Sequence, residues 1–475
     1  MRRTRWAVAL VVLASLAAGA CATEVDLADI ARDPVVVDDD GKIDPDEGSG
    51  RDDDDPDERD LTPEDVVEAA LDDVVAFWEG TYPDVYGGRL APLAGGFHAY
   101  GPGTDVPPCE PGLTYEDIAG NAFYCPPSDL IAWDLPGLVE PLFEQFGAFT
   151  IGIVMAHEFG HAVQARAEVS GDTIMIELQA DCFAGAWSGD VRDGGSAHFE
   201  VDVEDLDLAV AGFLELRDGL GTLASDPLAH GTGFDRVAAF QDGFEHGPDR
   251  CAEYPDLYDR GELVVVEIPF GSQQDLINEG NLDVETLLPL ALTNLDAFFA
   301  ELVDEQGGTW TPVGDGVLLY DPAVDEVGCG DDTFSEEEAE LGSFYCVDDD
   351  VIALDIANLG PQLYEIGDFA LVVELARLYA VRAQVLLGVD APADDELLHA
   401  DCLTGVYSAA TFLEAIPVPD ADKLVLSPGD LDEAIIAFLA YGNAGHDSSV
   451  SAFTRTDAFK DGFLDGVDAC DRLTG

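Results

Sequence analysis

An α+β fold, built twice in tandem, is what this sequence predicts. Two observations carry that expectation. Long stretches with apolar residues at helical spacing alternate with Gly- and Pro-rich segments holding short apolar runs. A set of short motifs then returns once along the chain at a nearly constant interval. Phe123-Tyr124-Cys125 recurs as Phe344-Tyr345-Cys346, Ala180-Asp181-Cys182 as Ala400-Asp401-Cys402, and Asp242-Gly243-Phe244 as Asp461-Gly462-Phe463, always 219 to 221 residues on.

Each copy starts with an amphipathic helix. In the first, Thr62 can cap, Pro63 suits the first helical position, and Glu64 and Asp65 favour the positive end. Val66, Val67, Ala70, Leu71, Val74, Val75 and Trp78 follow on one face. Gly96–Tyr100 and Leu130–Trp133 read as strands among turns, and the pattern turns helical again after Leu135. Leu263–Phe270 reads as a further strand. The expected organisation is a signal peptide over 1–20, an acidic disordered tether over 21–60, one folded unit over 61–255, a connector over 256–280 and a second unit over 281–475.

The 475 residues include 98 acids against 20 bases, a formal charge of −78, with only Lys42, Lys423 and Lys460 as lysines. Such a surface repels nucleic acid and anionic lipid. It reads as a strongly hydrated acidic surface of the halophilic type, suited to high salt, where counter-ions screen self-repulsion. With 47% hydrophobic residues the chain can nevertheless bury real cores.

Arg2, Arg3 and Arg5 precede the apolar run Trp6 to Leu16 and the small residues 17–20, as in an export signal. Cys21 is the candidate lipid-modified cysteine of an envelope lipoprotein, although Ala18-x-Ala20 would also suit ordinary signal peptidase. Lipidation would anchor the protein to the outer face of the membrane; without it the protein would be secreted. In the tether, Asp38, Asp40, Gly41, Ile43 and Glu47 loosely fit a calcium loop, but Val36 stands at the first ligand position, so a charged linker is the simpler reading. The other eight cysteines divide four to a copy. Export permits disulfides. Three pairings per copy are open, and the expected ones are Cys109–Cys125 with Cys182–Cys251, and Cys329–Cys346 with Cys402–Cys470.

The chemistry concentrates in His157-Glu158-Phe159-Gly160-His161. On a helix the two histidines share a face one turn apart and can hold one metal ion, while Glu158, offset by about 100°, can reach a metal-bound water. By this composition, a chance match would arise in roughly one such chain in a hundred. Catalytic zinc needs a third ligand and an open position. Glu177 and Asp181, four apart beyond a break at Gly171, suit a third ligand and a carboxylate that holds a ligand imidazole through a hydrogen bond.

Met155 to Gln164, with Glu177-Leu178-Gln179-Ala180-Asp181-Cys182-Phe183-Ala184-Gly185-Ala186-Trp187, resembles the bacterial "putative neutral zinc metallopeptidase" family. Phe123 to Pro126, His230-Gly231-Thr232, Asp242-Gly243-Phe244 and Cys251 fit as well, so the resemblance covers roughly 61–255. Ala162 departs from it, where the family often has a further His. The resemblance implies a zincin-like fold, Zn2+ on His157, His161 and Glu177, and Glu158 as catalytic general base in peptide-bond hydrolysis. His230 is a candidate to stabilise the oxyanion.

The second copy loses this set. At an offset of 220, His157 falls on Arg377, Glu158 on Leu378, His161 on Val381 and Glu177 on Leu397, and only Asp181 persists, as Asp401. It reads as a degenerate pseudo-peptidase repeat, open to packing on the first copy, binding a protein partner or shaping a substrate cleft. The leading expectation is an exported zinc metallopeptidase acting on protein or peptide substrates. Its rivals are a non-catalytic envelope binding or scaffold protein with a structural or unused zinc site, and a zinc hydrolase of non-peptide amides.

Overall fold

The computed structural model describes residues 36–37, 43–44, 61–109, 111–226, 229–312, 317–334, 342–441 and 450–474. The signal segment, Cys21 and most of the tether, including Asp38, Asp40, Gly41 and Glu47, lie outside them. Within the stretch expected to be unstructured, Val36–Val37 and Ile43–Asp44 pair as a short antiparallel ladder.

Helix α1 (Pro63–Val85) begins at a reciprocal cap. Thr62 accepts from the Asp65 N–H, and the Asp65 carboxylate accepts from the Thr62 N–H. Its apolar stripe, from Val66 to Trp78, is buried. Three strands follow: β1 (Gly96–Tyr100), β2 (Ala122–Cys125) and β3 (Leu130–Asp134). β3 is central, parallel to β1 and antiparallel to β2, so β2 is an edge strand.

A wide turn over 135–139 leads into α2 (Glu140–Arg166). The helix breaks at Gly147, whose φ of 78° favours glycine. Beyond it, nearly every residue from Ala148 to Gln164 is buried, as expected for a core helix apolar all round. α3 (Thr173–Arg192), α4 (Val203–Glu215) and α5 (Gly233–His246) complete the layer. α3 and α5 touch backbone to backbone: a Cβ on Gly185 would stand 1.9 Å from the Phe240 carbonyl oxygen, and one on Gly243 1.9 Å from that of Cys182.

The remainder uses the same parts. After α6 (Val284–Glu305) come β4 (Val317–Tyr320), β5 (Phe344–Cys346) and β6 (Val351–Asp355), again with the last strand central, parallel to the first and antiparallel to the second. Then follow α7 (Asp368–Leu387), α8 (Ala393–Phe412), α9 (Asp430–Tyr441) and α10 (Ala452–Asp465). α8 and α10 approach as closely as α3 and α5, through Gly405 and Gly462.

All four expected cysteine pairs, 109–125, 182–251, 329–346 and 402–470, lie at S–S distances of 2.00 to 2.04 Å. One expectation fails. Leu263–Phe270 forms no strand and joins no sheet. The Val266 N–H is taken instead by the Asp235 carboxylate at 2.9 Å, so a helix side chain replaces a neighbouring strand. A single apolar cluster runs from Val66 to Cys470. The two halves meet through ring contacts such as Phe234–Phe463 (4.9 Å) and Phe244–Phe453 (5.1 Å).

Candidate metal centre

His157 and His161 sit one turn apart on α2, and α3 crosses them. A Cβ on Gly160 would lie 3.3 Å from the Ala180 Cα, so the missing side chain lets the helices approach. That approach brings Glu177 to both histidines. His157 Nε2 and His161 Nε2 are 3.1 Å apart, and Glu177 Oε2 lies 3.3 and 3.5 Å from them. Tetrahedral zinc ligands at ~2.0–2.1 Å stand ~3.3–3.4 Å from one another, so the three donors have the spacing of one face of such a shell. Two imidazoles and a carboxylate are also the donor set of catalytic zinc. The residues present therefore fit the ion.

Each imidazole is held from behind, leaving Nε2 for the centre. His157 Nδ1 meets Asp181 Oδ1 at 2.7 Å, and His161 Nδ1 meets Gln164 Oε1 at 2.8 Å. The Gln164 amide is itself oriented, because its Nε2 donates to the Ile176 carbonyl at 2.7 Å and to Gln179 Oε1 at 3.0 Å. Its oxygen must then accept, which makes His161 Nδ1 the donor and leaves Nε2 with its lone pair. Asp181 is doubly engaged: the buried Arg236 guanidinium contacts both of its oxygens at 2.9 Å.

The electrostatics are those of a site that wants positive charge. Burial disfavours the His157 imidazolium, yet Asp181, Glu177 and Glu158 together push its pKa up to about 10. His161 is raised too, against burial, by Glu177. Burial alone would raise Glu177, but the two histidines beside it hold it well below the carboxylate range.

Glu158 stands outside the donor trio. One of its oxygens, Oε2, accepts from the Tyr124 N–H of edge strand β2 at 2.8 Å. Both lie on the wall of a cavity of about 620 Å³, with His157, His161 and Glu177. Leu138, Ile153, Val154, Phe213 and Leu216 supply an apolar lining. His230 also lines it, half-exposed, with Nδ1 3.3 Å from Asp218. Among the described residues, every lining residue lies between Gly120 and Arg236, in the first half. Gln164, Arg236 and the Tyr124 N–H were not singled out in the sequence. Gln164 has a local signal, three residues beyond His161; the other two are joined to the site only by the fold.

At the corresponding place in the second half, Arg377 is buried and pairs with Glu374 at 2.8 and 2.9 Å. Arg455 grips Asp401 at 2.6 and 2.7 Å, as Arg236 grips Asp181. Gln384 donates to the Glu396 carbonyl at 2.6 Å, as Gln164 does to that of Ile176.

The chain is similar to known proteins over part of its length. The uncharacterized protein YpfJ of Escherichia coli K12 is 31% identical over 155 residues, covering 27% of this chain and 52% of the relative. The uncharacterized protein Rv2575 of Mycobacterium tuberculosis H37Rv is 38% identical over 81 residues, 14% of this chain and 27% of the relative. The chain thus spans about half the length of YpfJ. No solved structure matches. Residues 112–254, which carry the three donors, Glu158, Gln164, Asp181 and Arg236, match the family model described as "Putative neutral zinc metallopeptidase".

Proposed function

We propose that residues 61–255 form a zinc peptidase unit in which His157, His161 and Glu177 hold the ion and Glu158 is the general base. One observation carries this reading: three donors converge with tetrahedral spacing while a fourth group, the Glu158 carboxylate outside the trio, faces the same cavity. A purely structural site has no use for that fourth group. When bound, zinc lowers the pKa of a water toward about 7 and polarises a carbonyl. Glu158 takes the proton of the attacking water and passes it to the leaving amine. The Tyr124 N–H fixes one Glu158 oxygen and leaves the other for that transfer. Asp181 and Gln164 keep both imidazoles in the tautomer that offers Nε2. An extended peptide fits along edge strand β2, whose Ala122, Phe123 and Tyr124 line the cavity.

The second half reads as a degenerate repeat, 281–475, of the first. The matching strand order, helix order and Asp–Arg pairs support this, and Arg377 replaces a ligand with a permanent cation. Export and a lipid at Cys21 rest on the sequence, and mass spectrometry of the N-terminus decides between lipidated and cleaved forms.

The test is turnover of an unfolded protein at high salt, with bound metal measured. Wild type should carry one zinc per chain, and Glu158→Gln should keep it while losing ~10²–10⁴-fold in rate. Unchanged turnover in the variant removes Glu158 as base. Zinc without turnover of any peptide favours a scaffold or a different amide substrate. Two zincs per chain would overturn the degenerate reading.

A further inference from the structure

A second cluster of acids lies in the other half of the molecule, away from the zinc centre. Asp368 opens α7, and Asp430 and Glu433 occupy the first turn of α9. All three are buried, and one oxygen from each lies within 4.8 Å of the others. Part of this is ordinary capping. Glu433 Oε2 accepts from the Phe369 N–H at 2.9 Å, Asp368 Oδ2 from the Leu282 N–H at 2.7 Å, and Asp430 Oδ2 from the Ser427 N–H at 2.8 Å.

Capping leaves two things unexplained. Asp430 Oδ1 is buried with no hydrogen bond, although Asp430 is only 4% exposed. Further, no Lys or Arg among the described residues pairs with any of the three, whereas Asp432 on the same helix has Arg217 at 3.3 Å. Three buried carboxylates without a cation are costly. Burial, with repulsion from other members of the cluster, raises Asp430 and Glu433 well above the carboxylate range, and burial with Asp275 nearby raises Asp368 to about 6. The packing holds them together all the same: the Glu433 carboxyl occupies the space a Cβ on Gly367 would take, 1.9 Å from its carbon.

The geometry points to a calcium site formed by Asp368, Asp430 and Glu433, with Asp430 Oδ1 as a dedicated ligand. An all-oxygen, acidic donor set selects a hard cation. Calcium accepts six to eight oxygens at ~2.3–2.6 Å in flexible geometry, so oxygens up to ~4.6–5.2 Å apart fit one shell, whereas Mg2+ demands near-ideal octahedral geometry and keeps several waters. The ion would stiffen a junction. Asp368 holds Asn281 and Leu282, the first residues past the connector, and Asp432, two residues on from Asp430, accepts from the Phe234 N–H of the zinc-bearing half. This site is independent of the peptidase reading.

The experiment uses full-length protein, stripped over a chelating resin and reloaded with one equivalent of zinc. Equilibrium dialysis with 45Ca in high NaCl should find one saturable calcium per chain above the diffuse background of an acidic surface. Thermal unfolding should shift upward by several degrees with calcium, and by less with equimolar magnesium. Asp430→Asn should weaken the saturable site at least ~10-fold, leaving the background unchanged. Glu433→Gln, which keeps an acceptor for Phe369, serves as a second variant should the first fail to fold. Absence of a saturable site in wild type overturns the proposal, as does equal calcium binding in a folded variant.

Discussion

At the scale of single residues, the metal centre depends on side chains that never touch the ion. Gln164 fixes the His161 tautomer, and Asp181 fixes that of His157. Loss of such partners typically costs 10- to 100-fold in metal affinity, so Gln164→Ala should weaken zinc by roughly that factor, read by competition with a chromophoric chelator. Arg236 acts differently, as the cation that makes a fully buried Asp181 tolerable. Arg236→Met should destabilise by ~3–5 kcal/mol in urea unfolding and also weaken zinc. Arg455→Met removes the same kind of pair from Asp401 and should cost similar stability with no change in zinc binding. Equal effects on zinc from both variants would contradict the division of roles.

At the scale of elements, carboxylates on one helix cap another. Asp207 on α4 accepts from the Ala452 and Phe453 N–H groups at the start of α10. Burial, with Glu204 and Asp202 nearby, outweighs those two bonds and lifts its pKa to about 6, and burial lifts Asp235 on α5 to about 7, against an ordinary 3.8. A carboxyl whose folded pKa is raised adds stability that is full below the unfolded value and is lost as pH rises through the folded one. The contribution of these two groups to the urea midpoint should therefore fall between about pH 4 and pH 7. Asp207→Asn, which cannot ionise, should remove part of that fall at constant high salt. An identical pH profile in the variant would show that Asp207 contributes none of it.

At the scale of the whole molecule, the halves share one core. Phe453 of α10 packs on Phe240 and Phe244, and its carbonyl accepts from Gln241 Nε2 at 3.1 Å. Phe453→Ala should cost ~3–5 kcal/mol. Because the interface is part of the core, it should lower the midpoint of both halves together, with near- and far-UV circular dichroism coinciding. Two separated transitions would show independently folding halves. The formal charge of −78 acts on the same scale, since it favours expansion and salt screens it.

What the sequence determined by itself was local or periodic. The spacing of His157 and His161 places two imidazoles on one helix face, and Glu177 with Asp181 does the same one helix later, because helical geometry alone sets those directions. The capping of α1 at Thr62 was legible for a similar reason, whereas the choice among three cysteine pairings per copy was an expectation that the fold decided. What only the tertiary structure decided were contacts across long separations. These include Arg236 on Asp181, the Tyr124 N–H on Glu158, the failure of 263–270 to find a partner strand, and the meeting of Asp368 with Asp430 and Glu433. No local pattern encodes them, because each depends on where helix crossings and glycine-permitted approaches bring distant backbone together.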